Sequence, residues 1–137
     1  MATITSINPF PNDVRAAFEA YMSSTTYYNR EQLSYDKWER ICVILQNPTA
    51  FKATYKEAKA LKHRAQSDFE LIDNKLYRKG NVQYLHARYV VRKAEVFDAI
   101  AEEHLKLLRT GRNKVWPTIE KQYYGIKRED VEFILKR

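Results

Sequence analysis

The stretch Ser67-Asp68-Phe69-Glu70-Leu71-Ile72-Asp73-Asn74-Lys75-Leu76-Tyr77-Arg78-Lys79-Gly80 decides the fold class, because the hydrophobic period changes inside it. Upstream, apolar residues recur three and four apart, the helical spacing. Here Phe69 to Asp73 and Leu76 to Lys79 are short extended runs on either side of Asp73-Asn74, residues whose side chains bond their own backbone in turns. Gly80-Asn81 marks a second turn. Val82 to Leu85 and Arg88 to Arg92 read as further extended pieces, and Tyr89-Val90-Val91 is the most β-prone triplet of the chain. Strands this short need helices to cover one face.

Those helices are readable on both sides. Asn12 or Asp13 can cap a first helix with Val14, Ala17, Phe18 and Tyr21 on one face. A second begins between Asn29 and Ser34, carries Tyr35, Trp38, Ile41, Cys42 and Leu45 inward, and stops at Asn47-Pro48. A third, over about 49–66, repeats the pattern with Phe51, Tyr55, Ala58, Leu61 and Ala65. After Lys93 the helical period returns over 94–109, with Val96, Phe97, Ile100, His104, Leu107 and Leu108 on one face. Next comes a helix with Val115, Ile119 and Tyr123 inward, running to Tyr124 and ended by Gly125. Pro117 must stand in its first turn, where a missing N–H costs nothing, so the helix is expected to start at Trp116 or Pro117. Lys127-Arg128-Glu129-Asp130 opens a last helix with Val131, Phe133, Ile134 and Leu135.

The expected fold is α+β and mainly helical: N-terminal helices, a small antiparallel sheet, then a three-helix cluster. Residues 1–11 are expected to be a flexible leader and 12–66 a helical extension. Residues 67–137 are expected to be a hairpin-plus-helix module forming one compact unit with 12–66. A chain of 137 residues, 45% hydrophobic and 13% aromatic, supports one such domain, and 3 Gly with 4 Pro exclude a collagen-like or linker-like chain. No run approaches the roughly 20 apolar residues that span a bilayer. Met1 to Ile7 has neither the basic flank nor the long apolar stretch of a secretory signal. The single cysteine, Cys42, excludes an intrachain disulfide and a thiolate-rich zinc site, and fits a reducing compartment.

Catalytic chemistry finds no foothold in the sequence. His63, His86 and His104 are scattered, Cys42 lies in an apolar stripe, and isolated glycines cannot form a phosphate loop. Glu102-Glu103 and Glu129-Asp130 are adjacent helix positions that do not face each other. The charge is more telling. Of a net +7, residues 104–137 hold +5, with nine Lys and Arg against four Asp and Glu. A basic end suits a polyanion or an acidic partner.

Leu76-Tyr77-Arg78-Lys79, Arg88-Tyr89-Val90-Val91-Arg92-Lys93, a helix reaching His104, Gly111-Arg112-Asn113-Lys114, Tyr123-Tyr124-Gly125-Ile126 and the Asp130 to Phe133 helix follow one another in a distinctive order. That order, over about Asp68 to Arg137, resembles the N-terminal HHCC zinc-binding region of gypsy-type retrotransposon integrases. With the Tyr35 to Ile41 helix it is also similar to integrase-derived cellular proteins of the nucleolar protein 4 type. His104 is the only position matching a family zinc ligand; Arg109 stands where the second histidine falls, and no Cys-x-x-Cys is present in the 137 residues. A structural zinc site needs four ligands, so no metal and no other cofactor are expected here. Zinc would be expected only if Cys-x-x-Cys follows Arg137 in the parent protein. The catalytic core of an integrase is likewise missing.

The resemblance implies a non-catalytic, nuclear module that binds DNA and assists assembly, not an enzyme. Its phosphate contacts are expected from Arg109, Arg112, Lys114, Lys121, Lys127 and Arg128. Trp116, Tyr123 and Tyr124 could stack on bases, although for the Tyr123-Tyr124 pair followed by Gly125 a core and C-cap role is favoured. The alternative is a protein-interaction or dimerisation module of a domesticated nuclear or chromatin regulator. Self-association or a protein partner fits either reading; a membrane or a small-molecule substrate fits neither.

Overall fold

The computed structural model describes residues 10–50, 52, 54–109 and 115–136, the side chains of 108 and 109 excepted. Positions 1–9 of the expected leader and Phe51 therefore lie outside the described residues. The chain is α+β and mainly helical. Its compact units cut across the 66/67 boundary: one is Leu33–Val90, the other Met1–Gln32 with Val91–Arg137.

In Leu33–Val90, α2 (Tyr35–Gln46) and α3 (Lys56–Asp68) pack on a sheet of β1 (Phe69–Ile72), β2 (Lys75–Arg78) and β3 (Arg88–Val90). The Ser34 hydroxyl caps α2 by accepting the Lys37 N–H at 3.2 Å. Ile41 and Ile44 are fully buried, whereas Tyr35, at the helix start, is 67% exposed and leaves the expected stripe. The third helix begins later than its spacing predicts. Tyr55 is extended at the N-cap and 52% exposed, so burial by α3 rests on Ala58 and Ala65. The hairpin forms as expected: β1 pairs with β2 antiparallel, Phe69 opposite Arg78 and Ile72 opposite Lys75. Asp73 and Asn74 both take positive φ, 51° and 64°, the paired left-handed geometry of a tight hairpin turn. Phe69 and Leu76 are the sheet's share of the core.

No strand forms over Val82 to Leu85. The Asn81 side chain accepts the N–H groups of Gln83 and Tyr84 at 2.9 and 2.8 Å, and the Asn81 N–H donates to the Tyr84 carbonyl at 2.7 Å. These local bonds occupy the groups a ladder would use. The chain re-enters the sheet only at Arg88, with Tyr89 opposite Tyr77.

In the other unit, α1 (Asn12–Met22) starts directly after Pro11. Asn12 is its first helical residue, and no side chain caps it. Phe18 is 1% exposed, with ring centroids of Phe97 and Phe133 at 5.9 and 6.0 Å, and Tyr21 stacks on Phe133 at 4.4 Å. A 3-10 turn, Lys93–Glu95, leads into α4 (Val96–Arg109), whose Val96 and Ile100 are fully buried. Pro117 stands in the first turn of α5 (Val115–Gln122), where it donates nothing.

That helix stops two residues short of the expected end. Tyr123–Tyr124 is extended as β4, and the Tyr124 carbonyl accepts the Val91 N–H at 3.0 Å. Gly125 follows at φ +110°, and a Cβ there would lie 3.2 Å from the Val91 carbonyl oxygen, so the turn requires glycine. Both tyrosines are buried, which gives them to the core and withdraws them from base stacking. In the last helix, α6 (Arg128–Leu135), Val131 and Ile134 point into the core.

Candidate nucleic-acid interface

The expected phosphate-contacting cations are not equivalent. Lys121 is exposed in the last turn of α5. Arg128 is exposed at the start of α6, its Nε 3.2 Å from Glu132, and the same carboxylate lies 3.6 Å from Lys136 Nζ. Exposed pairs of this kind contribute only about 0–1 kcal/mol, so a phosphate competes for both cations readily. Lys127 is turned inward: its ammonium donates to the Tyr28 carbonyl at 2.6 Å and lies 4.4 Å from the centroid of the Tyr27 ring. The Arg109 side chain, Arg112 and Lys114 lie outside what the structure describes.

Lys127 is tied up because of what lies beneath it. Asp130 is fully buried, accepts the Lys127 N–H at 3.1 Å, and accepts the Tyr27 hydroxyl through both oxygens. Burial pushes the Asp130 carboxyl above its usual range, against these hydrogen bonds and the Lys127 charge. Burial and the Asp130 charge raise the Tyr21 hydroxyl to about 12, and raise Tyr27 as well. This cluster holds the chain end that carries Lys127 and Arg128.

A second set of cations belongs to Leu33–Val90. This unit carries +5, with eleven Lys and Arg against six Asp and Glu. On α3, Ala58 and Ala65 face inward, which turns Lys56, Lys59, His63 and Arg64 outward, with the small residues Ala60 and Ser67 among them. Arg64 makes only a long contact, 3.9 Å, to Asp68. Lys56, Lys59 and His63 thus share the outward side of α3, away from Glu57, whereas Arg64 stands on the side of Glu57 and Asp68. Reading charge along the chain misses the Lys56 and Lys59 pair, because Glu57 stands between them in sequence; the helical period is the signal that separates those two from it.

His104 is half-buried, stacked on Phe10 with ring centroids 5.2 Å apart, and its Nδ1 has no hydrogen-bond partner among the described residues. Burial lowers its pKa. No three His, Cys, Asp or Glu side chains that could hold a metal ion come together among the described residues.

Two open grooves of about 450 Å³ each are present, one lined by Arg15, Phe18, Met22 and Phe97, the other by Lys37, Arg40, Glu57 and Arg64. Tyr21, Tyr27, His104 and Asp130, whose titration burial displaces, line neither. No protein-family model, curated protein or solved structure matches the chain.

Proposed function

We propose that the chain is a non-catalytic nucleic-acid-binding and assembly module, acting on DNA in the nucleus and needing no metal of its own. The observation that carries this reading is the set of exposed cations on helical surfaces. Lys56 and Lys59 stand one turn apart on α3, and Lys121 and Arg128 stand exposed on the last two helices. Cations set at helical intervals on short, rigid elements neutralise backbone phosphates without reading bases, so binding should be sequence-tolerant and governed by counterion release. The integrase resemblance supports the same reading, since the matching region of that family binds and assembles without performing strand transfer.

The test is a titration of fluorescent duplex DNA at low and moderate salt, with light scattering on the same sample. Tight binding that weakens steeply with salt supports the proposal. Weak binding by a stable dimer would transfer the function to protein assembly.

A further inference from the structure

Val82 and Leu85, at 98% and 80% exposure, are the most exposed large hydrophobic side chains among the described residues. They stand in the loop between β2 and β3, and that loop is built, not slack. Asn81 holds the backbone of Gln83 and Tyr84, and the guanidinium of Arg88 lies 3.7 Å from the centroid of the Tyr84 ring. The turn at Gly80 passes so close to Leu85 that a Cβ at residue 80 would fall 2.7 Å from the Leu85 carbonyl oxygen. Two aliphatic side chains are therefore presented to solvent by an ordered scaffold.

From Asn74 to Ala94 the sequence contains no Asp or Glu. Lys79 stands exposed at the base of the loop, whereas Arg78 faces Asp68 at 3.4 Å and Arg88 is buried beneath Tyr84. The loop also springs from the end of α3: the Lys79 N–H donates to the Asp68 carbonyl and its ammonium to the Gln66 carbonyl, both at 2.8 Å. The apolar tip and α3 belong to one unit and are joined at Lys79.

We propose that this loop is a wedge for duplex DNA, Val82 and Leu85 entering a base step from the minor groove while the neighbouring cations hold the phosphates. Apolar side chains flanked by cations unstack base steps in this way, and the bend they cause brings more backbone onto the protein. A bilayer is the less fitting anionic surface. The tip lacks the exposed tryptophan or tyrosine that seats a loop at a lipid interface, and the same unit carries the exposed cations Lys56 and Lys59 one turn apart on α3, a spacing suited to backbone phosphates. The proposal rests on the nucleic-acid reading of the chain.

The test uses the full chain and a duplex carrying 2-aminopurine at a central, flexible pyrimidine–purine step. Wild type should raise the fluorescence severalfold at saturation. Val82→Ser/Leu85→Ser should abolish that rise and bind about tenfold more weakly with the same salt dependence, and Val82→Ile/Leu85→Met should retain the signal. Steep salt-dependent binding without a fluorescence change, or a rise that survives the serine pair, overturns the wedge and leaves the nucleic-acid reading standing. Absence of salt-dependent binding by wild type removes both. Cosedimentation of wild type, but not of the serine pair, with phosphatidylserine–phosphatidylcholine vesicles would make the loop a membrane anchor and overturn the wedge.

Discussion

The Tyr27 hydroxyl donates to both carboxylate oxygens of Asp130, at 3.0 and 3.1 Å, and Asp130 has no exposed surface. These residues, far apart in sequence, join the segment after α1 to the first turn of α6. The Lys127 N–H adds a second donor to the same carboxylate. Hydrogen bonds to a charged group contribute about 1.5–3 kcal/mol, and a buried acceptor deprived of its donor bears its desolvation cost alone. Tyr27→Phe should therefore lower stability by about 2 kcal/mol, read from the urea midpoint at neutral pH. An unchanged midpoint would mean that Asp130 is satisfied in some other way.

The same carboxylate should give the fold a pH dependence of unusual sign. Its folded pKa is raised by burial, so its contribution favours the folded state below the unfolded value and is lost as pH rises through the raised folded value. Asp130→Asn has no such titration. Relative to wild type it should gain stability as pH increases from about 3 to 7, by about 1.4 kcal/mol per unit of the shift. Urea unfolding of both proteins across that range checks this; parallel curves would contradict it.

Two backbone positions make a contrasting pair. Gly125→Ala should cost about 1–3 kcal/mol, since φ is +110° and the added carbon meets the Val91 carbonyl. Asn74→Gly, at φ 64° in the hairpin turn, should stabilise by about 0.5 kcal/mol, and Asn74→Ala should destabilise by about 1 kcal/mol. Thermal unfolding of the three variants decides the order.

Lys121 and Lys127 separate surface charge from internal anchoring. Lys121→Ala should leave stability unchanged and reduce the magnitude of the logarithmic salt slope of DNA binding by about 1. Lys127→Ala should instead lower stability, because its ammonium holds the Tyr28 carbonyl, with little effect on that slope. The reverse pattern would place Lys127 at the interface.

Much of the fold was legible because apolar spacing reports burial directly. Val96, Ile100, Ile119 and Ile134 are all fully buried on the faces their spacing predicts, and the chain turns at Asp73-Asn74 as expected, both residues taking positive φ. Errors arose where local bonding or tertiary packing overrode the pattern. Val82 to Leu85 has strand-like composition, yet Asn81 captures its backbone groups. Tyr123 and Tyr124 fit the end of a helix, yet the Val91 N–H draws them into extended pairing. Asp130 reads as an ordinary acid in a helix's first turn; nothing local announces that Tyr27 will bury it. That Lys121 and Arg128 are exposed cations of a basic chain end was legible from charge counting, whereas the exposed Lys56 and Lys59 on α3 emerge only once Ala58 and Ala65 fix which side of the helix faces out.

The most direct measurement is the duplex-DNA affinity of wild type and of Lys56→Glu/Lys59→Glu across a series of salt concentrations. If the exposed cations neutralise about five phosphates, log K should fall with log salt at a slope near −4 to −5 for wild type. The glutamate pair should lower affinity at least tenfold and flatten the slope by about 2. A wild-type affinity indifferent to salt, or a glutamate pair that binds as wild type does, would contradict the assignment of this surface to nucleic acid.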